Sequence, residues 1–285
     1  MIKKIIRSLR IFGSLVKSPQ TLLLSVTGVA GFMTARCPIR HWSIMVGLIL
    51  SLLTSIAGST VLNMWFDHDI DKVMARTHHR PLSQGKIDRK KVLWIGIVLS
   101  ILGVAIGFLL SPLYSVILLL GIFFDFVIYT IWLKRRTCWS IVWGGIAGGM
   151  PILAGRVLGM GFIDPVGILL TLSVLFWIPT HMLTFSIHYM DDYAAAKIPT
   201  FPSTYNVGIT RKVTAISTII AAALVTSAAV LIQVNEGFLH LLGILSGVLV
   251  FFTILMLVRP SRKINFGLFK FASIYMLAAM LLLAI

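Results

Sequence analysis

Apolar runs of about 20 residues, separated by short basic gaps, recur along almost the whole chain. Nine such windows can be read, near 20–35, 42–63, 92–110, 113–132, 139–159, 166–188, 213–233, 238–258 and 266–285. A helix over each is long enough to cross the hydrocarbon core of a bilayer, and the second and sixth are expected to run on as helix beyond it. The pattern predicts an all-α integral membrane protein, a bundle of nine transmembrane helices forming one domain over 20–285. It contains neither a solenoid-type repeat nor a low-complexity linker. Residues 1–19, beginning with the basic amphipathic MIKKIIRSLR, read as an interfacial arm. No clear cleavage site follows it and the first span begins at once, so the arm is expected to be retained.

Composition narrows the class further. Hydrophobic residues make up 58% of 285 positions and mean hydropathy is +0.97, more apolar surface than one water-soluble core can hide. The 25 Lys and Arg against 9 Asp and Glu give a net charge of +16. In a soluble chain that would suggest nucleic acid. Here the basic residues fall between apolar runs, so the expected partner is an anionic bilayer surface and not nucleic acid. Two cysteines, Cys37 and Cys138, make neither a disulfide framework nor a metal-spaced set and read as filling.

The charge distribution orients the bundle. With the N-terminus cytoplasmic, the inside segments hold Lys3, Lys4, Arg7, Arg10, Lys17, the 67–91 loop, Lys134-Arg135-Arg136, Lys197, Arg211, Lys212, Arg259, Arg262 and Lys263. The outside holds only Arg36, Arg40 and Arg156. That asymmetry follows the positive-inside rule and places the chemistry on the cytoplasmic face.

The second span ends in NMWFDHDIDKVMARTHHRPL, residues 63–82. Asn63, Asp67 and Asp71 repeat every four residues. Each such step turns a helix by about 40° and rises about 6 Å, so all three project from one face while Asp69 points away. Carboxylates at that spacing are hard-oxygen ligands, and Mg²⁺ takes a few of them together with phosphate oxygens and retained waters. Arg76 and Arg80 follow within reach of a polyanion, which a guanidinium fork binds through paired hydrogen bonds. A metal–diphosphate site at the membrane surface is the physical reading, against that of an ordinary solvated acidic turn.

That stretch resembles the N-x-x-x-D-x-x-x-D motif of the UbiA superfamily of intramembrane prenyltransferases. Its extension D-x-x-M-x-R-T-x-x-R-P-L is similar to the protoheme IX farnesyltransferase branch. YTIWLKRRT (129–137), GGIAGGMP (144–151) and PTHMLTFSIHYMDDYAAAKIPTFP (179–202) agree with the same branch in order and spacing. The resemblance covers most of 45–210. It implies a nine-helix bundle with a cavity opening to the cytoplasm and a lipid-facing groove for an isoprenoid tail. It also implies the cell membrane of a prokaryote, Mg²⁺, and farnesyl diphosphate and heme B as substrates. A heme A synthase or an oxidase assembly partner would receive the product.

Roles follow residue by residue. Asn63, Asp67, Asp71 and Asp192 are expected to hold Mg²⁺ against the diphosphate, and Arg76, Arg80, Lys134 and Arg135 to bind its oxygens. Arg136 reads equally as a topology anchor. Tyr129, five residues before Lys134 and so one and a half helical turns deeper, either bounds the cavity, shelters an allylic cation or is a buried interfacial tyrosine. In the sixth span His181 and His188 are candidate heme contacts, since imidazole is an apt axial ligand for heme iron. If Pro179 kinks the helix only upstream, His181, His188 and Asp192 share one face, with His188 and Asp192 about 20° to either side of His181. Asp192 and Tyr193 match a D-Y pair in the branch, and Asp191 is auxiliary.

The chain also departs from the family pattern. The second paired-acid motif of most superfamily members ends here in Ala196, a loss shared with the heme branch. PSTYNVG (202–208) lacks a lysine common there, and Ser140 and Arg156 replace an asparagine and an aromatic residue. Asp125 stands where an uncharged residue is usual, and either stays neutral or bonds to a neighbouring span. Two competing functions are prenylation of another aromatic or lipid acceptor and, from a different class, a polytopic transporter.

Overall fold

The computed structural model describes residues 13–36 and 42–285. Most of the basic arm, and residues 37–41 with Cys37 and Arg40, lie outside the described residues. The described residues fold into helices alone. They are α1 (Ser18–Met33), α2 (Trp42–Phe66), α3 (His68–Val73), α4 (Arg89–Leu110) and α5 (Pro112–Ile122), which continues as a π-helix over Phe123–Leu133. Then follow α6 (Ser140–Met160), α7 (Pro165–His188), α8 (Met190–Ala195), α9 (Phe201–Leu231), α10 (Glu236–Val258) and α11 (Arg262–Ala284). Among the described residues, eight helical units are long and apolar enough to cross a membrane: α2, α4, α5 with its π-helix, α6, α7, α9, α10 and α11. The first expected span is the shorter apolar α1, of 16 residues.

Local chemistry sets the helix starts. Asp88, Asp164, Asn235 and Ser261 accept backbone N–H groups in the first turns of α4, α7, α10 and α11. Pro112 and Pro165 occupy first helical positions, where the missing N–H costs nothing. Within α9, Asn206 leaves helical geometry (φ 68°, ψ 165°). Its Oδ1 then accepts from Ile209 N at 3.0 Å and restarts the helix.

Successive membrane helices α2, α4, α5, α6, α7, α9, α10 and α11 each pack on the next, and α1 touches α2, α6 and α11, closing a ring. Small residues let backbones meet where apolar burial against lipid offers no drive. A Cβ at Gly155 of α6 would lie 1.8 Å from the Gly28 carbonyl oxygen of α1. One core cluster joins α7, α9, α10 and α11, and a second joins α1, α2, α5 and α6. At the end of the bundle away from the acidic motif, Arg156 and Asp164 are each 6% exposed. The Arg156 fork donates to both Asp164 oxygens and to the Thr34 carbonyl at 2.6–3.1 Å. That pair clamps the α6–α7 turn to the end of α1.

Candidate active site

The helical ladder survives the end of α2. Asp67 N donates to the Asn63 carbonyl at 2.9 Å and Asp71 N to the Asp67 carbonyl at 2.8 Å. The backbone bends at Asp67 (φ −81°, ψ 7°), yet the four-residue register continues into α3. Asp67 and Asp71 are 5% and 4% exposed, and such buried carboxylates need counter-charge. Lys134, at the end of the π-helix, donates to Asp67 Oδ2, and Arg80 Nη1 sits 2.6 Å from Asp71 Oδ2. Asp69 lies on the opposite, exposed side, where Arg135 grips it with two bonds of 2.7 Å. Arg135 stands 3.9 Å from Asp67. Its hydrogen bonds hold the Asp69 carboxyl below its ordinary range.

Asn63 faces the π-helix. Its Nδ2 donates to Asp125 Oδ2 at 2.8 Å, its Oδ1 accepts from Thr130 Oγ1 at 2.9 Å, and Ser59 Oγ donates to the same Asp125 oxygen at 2.6 Å. Asp125 is thus bonded to the neighbouring span and fixes Asn63 in place. Within the π-helix Lys134 N bonds to the Tyr129 carbonyl at 2.8 Å. Tyr129 is therefore one wide turn from Lys134, and not one and a half, with its ring centroid 5.8 Å from Nζ.

Asp192 does not share a helix with His181 and His188. The chain leaves helical geometry at Tyr189 (φ −109°, ψ 31°) and restarts as α8, so the single-face expectation fails. Asp192 instead accepts from the backbone N–H groups of Ala75 and Arg76 at 3.2 and 3.3 Å, tying α8 to the loop after α3. The Arg76 guanidinium lies 4.9 Å from the Phe185 ring and 5.6 Å from Tyr189, and its buried Nε has no partner among the described residues. Tyr193 packs beside Ile70, Met74 and Ile198, and burial pushes its phenol up despite the nearby Arg76 and Lys134. His181 lies deeper, between Trp177 and Phe269. His188, the last residue of α7, stacks on Phe266.

The family model described as UbiA prenyltransferase family matches residues 23–281. The chain belongs to the UbiA prenyltransferase family. One relative, a protoheme IX farnesyltransferase of Archaeoglobus fulgidus, is 36% identical over 259 residues, 90% of each chain. Another of that name, from Korarchaeum cryptofilum, is 37% identical over 206 residues, 72% of this chain and 69% of that one. Among solved structures, a digeranylgeranylglyceryl phosphate synthase in membranes superposes with a TM-score of 0.81 at 19% identity, covering 98% of each chain. A UbiA homolog from Archaeoglobus fulgidus bound to GPP and Mg²⁺ gives 0.70 at 15%, covering 96% of this chain and all of that one. These likenesses establish a UbiA-like fold for a multi-pass membrane protein.

In this UbiA-family chain, no three His, Cys, Asp or Glu side chains among the described residues form a ready metal cluster. The donors still suit Mg²⁺, which binds through one or two carboxylates while phosphates and water complete its shell. Asp67 Oδ1 is buried with no hydrogen-bond partner among the described residues. Three contributors were not legible as site residues. Thr130 and Ser59 belong to apolar runs and meet Asn63 and Asp125 only through helix packing. Lys17, read only as a topology cation, has Arg80, Lys134, Asp125 and Asp71 as charged neighbours, and burial followed by the two cations lowers its ammonium to about 8.

Proposed function

We propose that this chain transfers a farnesyl group from farnesyl diphosphate to a vinyl group of heme B, releasing diphosphate and giving heme O. The observation that carries the reading is the buried Asp67–Asp71 pair, with one carboxylate oxygen that accepts no hydrogen bond and the cations Lys134 and Arg80 drawn onto it. A charge cluster of that kind suits a polyanion arriving with a divalent metal.

Asp67 and Asp71, with Asn63 and Asp192 alongside, would hold Mg²⁺. When bound, the metal supplies positive charge to the departing pyrophosphate. Lys134, Arg80, Arg76 and Arg135 bind the diphosphate oxygens and stabilise the charge that develops there as the allylic C–O bond breaks. Tyr129 and Tyr193 wall the space beside these cations, and the surrounding helices limit quenching of the allylic cation by water. The vinyl π pair forms the new C–C bond. Water then adds at the carbon next to the macrocycle and loses a proton, leaving a hydroxyethylfarnesyl group. His181, in its ring-lined position, contacts the heme, with His188 at the mouth.

The same reading has α1 as a ninth crossing and the site-bearing helix ends cytoplasmic, in the cell membrane of a prokaryote. A heme A synthase or oxidase assembly partner takes the product. The test is pyrophosphate release by purified protein in detergent. Release from farnesyl diphosphate that needs both Mg²⁺ and heme B supports the reading. Release that needs Mg²⁺ with another aromatic or lipid acceptor, and not heme, replaces the acceptor. The absence of release with any acceptor overturns the reading.

A further inference from the structure

Between α7 and α11 runs a seam of rings. Trp177 and His181 stack with centroids 5.1 Å apart, His181 and Phe269 lie 4.5 Å apart, Phe269 and Phe266 5.5 Å, and Phe266 and His188 4.3 Å. The Trp177 indole N–H donates to the Ala272 carbonyl at 2.8 Å, which pins this end of the seam.

One polar contact in the seam has a definite direction. Ser273 Oγ lies 3.1 Å from His181 Nδ1 and 3.1 Å from the Phe269 carbonyl oxygen. A serine hydroxyl carries one proton and can also accept, whereas a carbonyl oxygen only accepts. Both contacts are satisfied together only if Ser273 donates to Phe269 and accepts from His181 Nδ1–H. That assignment puts the imidazole proton on Nδ1 and leaves the Nε2 lone pair free, with no protein partner among the described residues. Metal-bound imidazoles use this arrangement, one nitrogen ligating while the other N–H is held by a neighbouring acceptor that fixes ring and tautomer.

We infer that Ser273 is a positioning residue. It holds His181 as the Nδ1–H tautomer so that Nε2 ligates the iron of the porphyrin acceptor, while the flanking rings of the seam line its pocket. The inference rests on the proposal that the acceptor is heme. Iron ligation anchors the macrocycle at its centre, so that the vinyl edge is presented in a fixed position.

The test is resonance Raman spectroscopy of the full chain in detergent, loaded with heme B and reduced to the ferrous state. The parent protein is expected to show an iron–histidine stretch, lost in His181→Ala and recovered in His181→Gly by added imidazole. Ser273→Ala, which removes the acceptor of Nδ1–H, is expected to shift that stretch to lower frequency, and Ser273→Thr to restore it. An unchanged stretch in Ser273→Ala overturns the positioning role with the heme reading intact. A stretch that persists in His181→Ala overturns His181 as ligand. A parent protein that binds no heme, yet releases pyrophosphate with another acceptor, overturns the acceptor reading itself.

Discussion

Asp125 and Asp67 have the same side chain and act differently. Asp67 keeps a buried oxygen that accepts no hydrogen bond, whereas Asp125 Oδ2 accepts from both Ser59 and Asn63. Asp67→Ala is therefore expected to abolish pyrophosphate release from a folded protein, because nothing else occupies that oxygen position. Asp125→Asn should leave the charge of the motif intact while loosening Asn63. Losses from disturbing such supporting partners run about 10- to 100-fold, and steady-state kinetics against Mg²⁺ concentration would show it. Wild-type kinetics in that variant would contradict the positioning role. The motif was legible because its period of four matches the helix. Asp125 was not, since its partners Ser59 and Asn63 lie 66 and 62 residues away and no local pattern encodes that meeting.

Irregular elements shape the site more than regular ones do. The π-helix places Lys134 beside both Tyr129 and Asp67, and apolar periodicity carries no signal for it because the segment is apolar on nearly every side, Asp125 and Thr130 excepted. The break at Tyr189 frees Asp192 to reach the loop after α3, although the sequence alone reads as uninterrupted helix. Arg156 shows the converse, a charge that serves an element junction far from the chemistry. Removing one member of a buried pair strands the other, so Arg156→Ala should cost about 3 to 5 kcal/mol, measured by thermal unfolding in detergent. Burial alone would raise the Asp164 carboxyl, but the Arg156 fork and the Gly167 N–H overcome it and hold it below the ordinary value of 3.8. The clamp's contribution is thus full above the ordinary carboxylate range and is lost as pH falls through the lowered value. Arg156→Ala should lack that acid-side loss.

At the scale of the molecule, the apolar runs made the helices and most of their bounds readable, since a bilayer demands length and hydrophobicity above all. The ring order was not readable, because α1 meets α6 through Gly28 and Gly155, and α7 meets α11 through the ring seam, between residues far apart in the sequence. The proposed sidedness rests on the positive-inside distribution of the basic loops and is open to a direct check. In a protein without its native cysteines, Gln84→Cys and Phe162→Cys lie at opposite ends of the bundle. An impermeant maleimide added to intact cells should label the Phe162→Cys protein and spare Gln84→Cys; the reverse pattern would contradict a cytoplasmic site. The central claim is farnesyl transfer to heme at the Asp67–Asp71 site. Mass spectrometry of the heme recovered after incubation of purified protein with heme B, farnesyl diphosphate and Mg²⁺ tests it most directly. Hydroxyethylfarnesyl heme that disappears with EDTA and in Asp67→Ala is the expected product, whereas unmodified heme alongside a prenylated alternative acceptor would contradict heme as the acceptor.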